Sequence, residues 1–290
     1  MSIYARIDLL SKNLFEPGEI IMRKFLVIIG CSILLAGCGK LEPLINKLPF
    51  TNDNESGQHK KNTGNNNENK KATIGGPVLQ AAYFNKIKVA NGKKVIQNPD
   101  NILALVNKDF ALPENYTPAD LVRPNVPFSF GAQKIEKSYI RQEAATALER
   151  MFSDAKKAGV ELYAVSGYRS YARQKTLFDA EVYHVGREKA EQAVAVPGTS
   201  EHQTGLAMDI SSPSQHLDLT QAYDKSKEGK WLAQNAHKYG FILRYPKGKE
   251  SVTVYEFEPW HFRYVGIKAA REIYKRNWTL EEYFKEVRKI

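Results

Sequence analysis

Ser200-Glu201-His202-Gln203-Thr204-Gly205-Leu206-Ala207-Met208-Asp209 is the stretch on which the reading of this chain turns, together with Glu258-Pro259-Trp260-His261 downstream. Gly205 lets the backbone turn sharply, and Leu206-Ala207-Met208 leads into a strand candidate that continues to Ile210. His202 and Asp209 can then face one cavity from either side of the turn. In a regular strand Glu258 and His261 would point to opposite faces, because their spacing is odd. Pro259 fixes its own φ and cannot donate a ladder hydrogen bond, so the strand breaks there and both side chains can approach one point. Two histidines and an aspartate, with a glutamate close by, are groups that suit a catalytic zinc, which keeps a fourth position open for water.

No other stretch offers a comparable ligand set. Both cysteines, Cys31 and Cys38, lie near the N-terminus, so the later part of the chain has neither a disulfide nor a thiolate ligand or nucleophile. His59 lies in a polar stretch, and His184 and His237 sit on helical patterns without an acidic or histidine partner at ligand spacing. His216 follows Pro213 in a loop, and these four read as surface or packed residues. A length of 290 residues allows one large domain or two small ones. The formal net charge of +10 raises the question of nucleic acid. No basic stretch interleaved with aromatics and no nucleic-acid motif accompanies it. The charge fits a solvated, lysine-rich surface, and also an anionic membrane or cell wall.

The N-terminus reads as an address. Arg23 and Lys24 precede an almost wholly apolar run from Phe25 to Ala36, too short to span a bilayer comfortably and laid out as a secretory signal. Residues 1–21 carry Asp8, Glu16 and Glu19 ahead of that basic pair. They are expected to be a mis-assigned extension, with translation starting at Met22 and the signal covering residues 22–37. From Thr51 to Gly76 Asn, Lys, Gly and Ser dominate, and apolar residues are too few to offset chain entropy. Residues 38–76 are read as a disordered tether with a root-mean-square reach of roughly 30 Å. The signal ends Leu35-Ala36-Gly37-Cys38, which resembles the lipobox of a bacterial lipoprotein. That resemblance implies cleavage before Cys38, lipidation of Cys38 and a lipid anchor on the extracellular face of the cytoplasmic membrane.

Apolar residues return near Pro77, and one domain is expected over residues 77–290. Ile102-Leu103-Ala104-Leu105-Val106 reads as a strand. Ile140, Ala144, Ala147, Leu148, Met151, Phe152 and Ala155 follow helical spacing, with Gly159 as the stop. Leu162 to Val165 reads as a short buried strand, and a second helix begins near Ser170. Trp231, Leu232, Asn235, Ala236 and Tyr239 predict a helix ending at Gly240. Phe241 to Tyr245 and Val252 to Phe257 read as strands joined by a turn at Pro246–Gly248. Phe262 to Val265 extends the pattern, and two amphipathic helices follow. Helices first and strands clustered later predict an α+β fold, a mainly antiparallel sheet flanked by helices.

Ser166-Gly167-Tyr168-Arg169-Ser170, Gln174, the Ser200-x-His202-x-x-Gly205-x-Ala207-x-Asp209 stretch and Glu258-x-x-His261 together resemble the VanY-type D-alanyl-D-alanine carboxypeptidases. These belong to the M15 zinc peptidases, with the related L,D-carboxypeptidases and D,D-dipeptidases. The likeness runs from about residue 100 to 276 and includes Leu105-Val106-Asn107-Lys108 and Leu112-Pro113. It implies one zinc ion held by His202, Asp209 and His261, with Glu258 as the catalytic base and Arg169, Gln174 and Ser200 at the substrate. Elementary chemistry agrees: zinc acidifies a water molecule and Glu258 accepts its proton, then delivers it to the leaving amine. Arg169, permanently charged and forked, suits a terminal carboxylate or a developing oxyanion, so it counts with Glu258 among the catalytic residues.

The expected activity is removal of the terminal D-alanine from peptidoglycan stem peptides, with D,D- and L,D-cleavage both open. A monomer with no nucleic-acid partner is expected. Two other readings stand beside it: an endopeptidase cutting inside the stem or cross-bridge, and a wall-binding lipoprotein without turnover. A pure binder has no need of a general base, which weighs against the last.

Overall fold

The structure, a computed structural model, describes residues 76–290. The signal segment, Cys38 and all of the tether but Gly76 lie outside the described residues. The described chain opens with β1 (Val78–Leu79) and a hairpin of β2 (Ile87–Ala90) and β3 (Lys93–Ile96), to which β4 (Phe110–Ala111) adds in parallel. Between β3 and β4 the apolar run Ile102–Val106 is not the strand its composition predicts. Side chains occupy the backbone groups that a ladder would use. Asn101 Oδ1 accepts from the Leu103 N–H (3.0 Å), and Asn85 accepts from the Leu105 N–H (3.1 Å) and donates to the Leu105 carbonyl (2.8 Å). Leu103, Ala104 and Val106 are buried all the same, so the run reports burial and not extension.

Two more short strands, β5 (Leu121–Val122) and β6 (Ile140–Arg141), pair antiparallel and deliver the chain into α1 (Gln142–Lys157). The predicted helix thus begins two residues later than its apolar spacing suggests. Ala144, Ala147, Leu148, Met151, Phe152 and Ala155 form its buried stripe, and Gly159 follows its end. Next come β7 (Tyr163–Ser166), α2 (Tyr171–Val185) and α3 (Arg187–Ala193). Ser170 caps α2 by accepting from the Arg173 N–H, which places the helix start where the sequence puts it. The chain continues through β8 (Ala207–Ser211), α4 (Lys227–Asn235), β9 (Phe241–Leu243), the single turn α5 (Glu250–Thr253), β10 (His261–Tyr264), α6 (Ile267–Arg276) and α7 (Leu280–Glu286). Finally β11 (Arg288–Lys289) pairs in parallel with β1.

The expected strand over Val252–Phe257 is absent, and β9 stops at Leu243 rather than Tyr245. Thr253 Oγ1 bonds to the Lys249 carbonyl and to both backbone groups of Tyr255, closing a local turn that competes with any ladder. Val254 then takes a φ of 60° and reverses the chain. Both valines of this β-rich run stay in solvent, while Tyr255 and Phe257 point inward.

The α+β reading holds. The central sheet has the order β7-β8-β10-β9 with every pair antiparallel. On one face Met208, Ile210 and Phe262 pack with Leu148, Met151 and Phe152 of α1 in the largest apolar core. On the other face Ile242 joins Leu103 and residues of α6 and α7 in a second apolar cluster. The middle of this second face is polar, although β8 and β10 are buried throughout.

That polar centre is a quartet of charges. Glu201 Oε1 accepts from Arg244 Nε (2.8 Å) and Arg263 Nη1 (2.7 Å). Arg244 also forks onto Glu281 of α7, at 2.9 and 2.6 Å. Arg263 donates onward to the carbonyls of Ile102 (3.1 Å) and Ala104 (2.9 Å), so the turn segment is pinned from beneath. Two arginines against two glutamates leave no net charge. Burial alone would raise Glu201 and Glu281, but their arginines hold both below the ordinary carboxylate range. Stability from such groups is present above the ordinary glutamate value and disappears as pH falls through the depressed one. Urea midpoints should therefore stay level from pH 7 to about 5 and drop below that. Glu281→Ala, which strips Arg244 of one partner, should cost about 3–5 kcal/mol in the same titration at pH 7.

Candidate metal and catalytic site

β8 and β10 pair with Asp209 directly opposite His261, so both side chains leave the same face of the sheet. His202 arrives from a 3-10 turn, Glu201–Thr204, which ends at Gly205. Gly205 has a φ of +64°, and a Cβ there would come within 2.8 Å of Leu121 Cδ2. The sharp turn expected at this glycine is therefore required twice, by backbone and by packing.

The three side chains converge. One ligand atom from each of His202, Asp209 and His261 lies within 4.8 Å of the others, and all three residues are buried. His261 Nδ1 is 3.0 Å from Asp209 Oδ1 and His202 Nε2 is 3.4 Å from Asp209 Oδ2. Each imidazole is gripped by its other nitrogen. His202 Nδ1 donates to the Gly167 carbonyl at 2.7 Å, and His261 Nε2 faces Glu201 Oε2 at 3.4 Å. Gly167 must be glycine for this contact, because a Cβ would sit 2.4 Å from the Tyr139 carbonyl.

The donor set fits a divalent cation. Asp209 Oδ2 is buried without a hydrogen-bond donor, a costly state for a carboxylate that a cation would relieve. Burial drives His202 down to about 3, which leaves it neutral with a lone pair to give. His261 is in the opposite position. Burial disfavours its charge, but the hydrogen bonds and charges of Asp209 and Glu201, with Glu258 adding to them, push it up to about 9. Such surroundings attract positive charge. Two imidazoles and one carboxylate, with no thiolate, match zinc, and the same atoms accept other divalent ions.

Glu258 belongs to the same cluster. The His261 N–H donates to the Glu258 carbonyl at 3.2 Å, closing a turn with Pro259 at its second position. This is the break that Pro259 predicts, and it brings Glu258 Oε2 to 3.9 Å from His261 Nδ1. Trp260 is buried in the main core.

A partly open cleft of about 570 Å³ joins this cluster to the other sequence-predicted residues, since Arg169, Gln174 and Ser200 line it with His202, Glu258 and His261. Arg169 stands at the β7–α2 junction, and its two side-chain hydrogen bonds go to neutral oxygens, Gln174 Oε1 (3.0 Å) and Ser166 Oγ (3.3 Å). Gln174, almost wholly buried, spends its amide nitrogen on the Ala195 carbonyl at 2.7 Å, so it braces Arg169 against the far wall. Among the described residues only His202, Asp209 and His261 form a metal-binding group. His237 stacks on Tyr274 at 3.6 Å, a packed residue as expected.

The sequence reading missed several residues here. Tyr245 and Tyr255 line the cleft, with Tyr245 5.0 Å from the His261 ring and 4.7 Å from Tyr255. Their signal is hidden because aromatics in apolar runs read simply as core. Arg263, close to Glu258 in sequence, pairs with Glu201. A usable signal existed for Glu201, since Arg244 and Arg263 each interrupt an apolar run, and a charge buried there demands an opposite charge.

The chain is similar to known proteins in sequence and fold. The family model described as VanY, D-alanyl-D-alanine carboxypeptidase, matches residues 137–267. YodJ of Bacillus subtilis (strain 168) is 62% identical over 212 residues, 73% of this chain and 77% of that protein. The solved LdcB LD-carboxypeptidase is also 62% identical, with a TM-score of 0.72 over 73% of this chain and 99% of that one. A zinc-bound vancomycin-resistance D,D-pentapeptidase VanY from a VanB-type cassette is 36% identical, with a TM-score of 0.52 over 63% of this chain and 98% of that one. With the matched region enclosing His202, Asp209, Glu258 and His261, the chain belongs to the VanY family of D-alanyl-D-alanine carboxypeptidases, which are hydrolases.

Proposed function

We propose that this protein is a zinc-dependent carboxypeptidase that removes the terminal D-alanine of peptidoglycan stem peptides, cleaving the L,D bond of a tetrapeptide. One observation carries the reaction type: the buried, unpaired oxygen of Asp209 lies against two imidazoles, and these open with Glu258 and Arg169 onto one cleft. The choice of an L,D bond rests on similarity, 62% identity to an LD-carboxypeptidase against 36% to a D,D-pentapeptidase.

His202 Nε2, His261 Nδ1 and an oxygen of Asp209 would hold the ion. Bound there, zinc supplies acidification of water and polarisation of a carbonyl. Glu258 takes a proton from the attacking water, whose oxygen bonds to the scissile carbonyl carbon. As the C–N bond breaks, Glu258 returns that proton to the amine of the departing D-alanine. Arg169 is bonded only to neutral oxygens, so its charge is available to the free carboxylate at the peptide's end. Gln174 keeps its guanidinium in place, and Ser200 completes the wall. Tyr245 and Tyr255 screen this side from water and stay neutral, because burial raises both phenols. For residues 22–38 the proposal is a cleaved signal and a lipid on Cys38, which would hold the enzyme at the outer face of the cytoplasmic membrane.

Incubation with tetrapeptide and pentapeptide muropeptides should release one D-alanine from the tetrapeptide first. Chelator should abolish release and zinc should restore it, and Glu258→Gln should lower kcat about 10²–10⁴-fold. Preference for the pentapeptide would overturn the L,D assignment. Arg169→Ala should reduce kcat/KM about 10–100-fold on peptides with a free C-terminus; cleavage of internal bonds at undiminished rate would show an endopeptidase instead. Cys38→Ser should move the protein out of the membrane fraction.

A further inference from the structure

The metal ligands are held in two different ways. His202 leans on a neutral acceptor, the Gly167 carbonyl, at 2.7 Å. His261 leans on a carboxylate, Glu201 Oε2, at 3.4 Å. That carboxylate is assembled at high cost, because both guanidiniums converge on its other oxygen, and Glu281 is buried in turn to balance Arg244. Both arginines are fully buried, and Arg263 has each of its nitrogens engaged. The arrangement leaves Oε2 without an arginine and aimed at the imidazole.

We propose that Glu201 is a positioning residue for the metal site, holding His261 with Nε2–H toward itself and Nδ1 toward Asp209. Imidazole presents two nitrogens, and which one faces the ion is set by the hydrogen bond that the other makes. His261 starts β10 as the direct partner of Asp209, close enough that only Nδ1 comes to 3.0 Å from Asp209 Oδ1. A ring turned over would leave Glu201 Oε2 facing a nitrogen without a proton, two acceptors buried together. His202, restrained from Nδ1, presents Nε2. The site thus takes one nitrogen of each kind. Arg244 and Arg263 make Glu201 a fixed acceptor, because two hydrogen bonds on Oε1 prevent the carboxylate from rotating toward the ion. An ion-pair network kept only for stability would not need Oε2 to point at a metal ligand.

This rests on the zinc reading above, and the two can fail separately. In the zinc-loaded full chain with ¹⁵N-labelled histidine, long-range ¹H–¹⁵N spectra should show His261 ligated through Nδ1 with a proton on Nε2. They should show the reverse for His202. Ligation of His261 through Nε2 would overturn the proposal without any variant being made. Glu201→Gln presents an amide that must still accept from two arginines, so its N–H₂ is turned toward His261. Competition with a chelating dye should show zinc affinity about 10–100-fold lower, and the visible spectrum of the cobalt-loaded form should change. Affinity within twofold of wild type, with the fold intact by circular dichroism, would sink the positioning role and leave the zinc reading standing. Wild-type protein that binds no zinc would sink both.

Discussion

Asp209 and His261 meet because β8 and β10 run antiparallel with these two residues as direct partners. Everything at the site depends on that register. A slip of β10 by one residue would turn His261 away from Asp209 toward the apolar face and expose Phe262 to the polar one. The register is pinned on both sides. Beneath, Met208, Ile210 and Phe262 interlock with α1. Above, Arg263, two residues from His261 on the same face, is tied to Glu201 and to the carbonyls of Ile102 and Ala104. Apolar packing and charge pairing therefore select the same alignment.

A buried arginine in a central strand is expensive, and this fold has one in β10 and another just past β9. The cost is met because each guanidinium finds a carboxylate and the quartet closes at zero net charge. Its pieces come from four distant parts of the chain. Asn107, donating to Glu281 at 3.3 Å, joins the turn segment to the same network. The residues of the candidate metal site are thereby braced from outside the cleft, which is how a site can hold its geometry when its side chains come from loops and strand ends.

The cleft is built from separately supported walls. One wall is formed by the Glu201–His202 turn and by His261 at the start of β10. Another is carried by α2 and α3, which share a small apolar cluster of their own around Phe178, Ala190 and Val194. Arg169 stands where β7 turns into α2, so it belongs to both the sheet and that wall, and Gln174 spans the gap to Ala195. Tyr255 enters from the reversed loop after α5, the segment whose composition predicts a strand. Its failure to be one is what brings an aromatic wall over the site.

By itself the amino-acid sequence determined which residues gather at this site and most of the scaffold around it. His202, Asp209, Glu258 and His261 were legible because residue type and spacing carry the ligand chemistry, and Pro259 marked the turn that lets two of them share a side. The stripe of α1, the Ser170 cap and the α+β order were legible because local periodicity and capping decide them. Ile102–Val106 and Val252–Phe257 misled because apolar, β-branched composition reports burial or propensity, whereas side chains of Asn85, Asn101, Thr253 and Arg263 took the backbone groups a ladder needs. Only the tertiary structure decided which charges belong together. Glu201, Arg244, Arg263 and Glu281 are spread over eighty residues, and ion pairs formed across that distance leave no periodic trace. For the same reason the grip on each imidazole, a carbonyl for His202 and a carboxylate for His261, exists only once the sheet has closed.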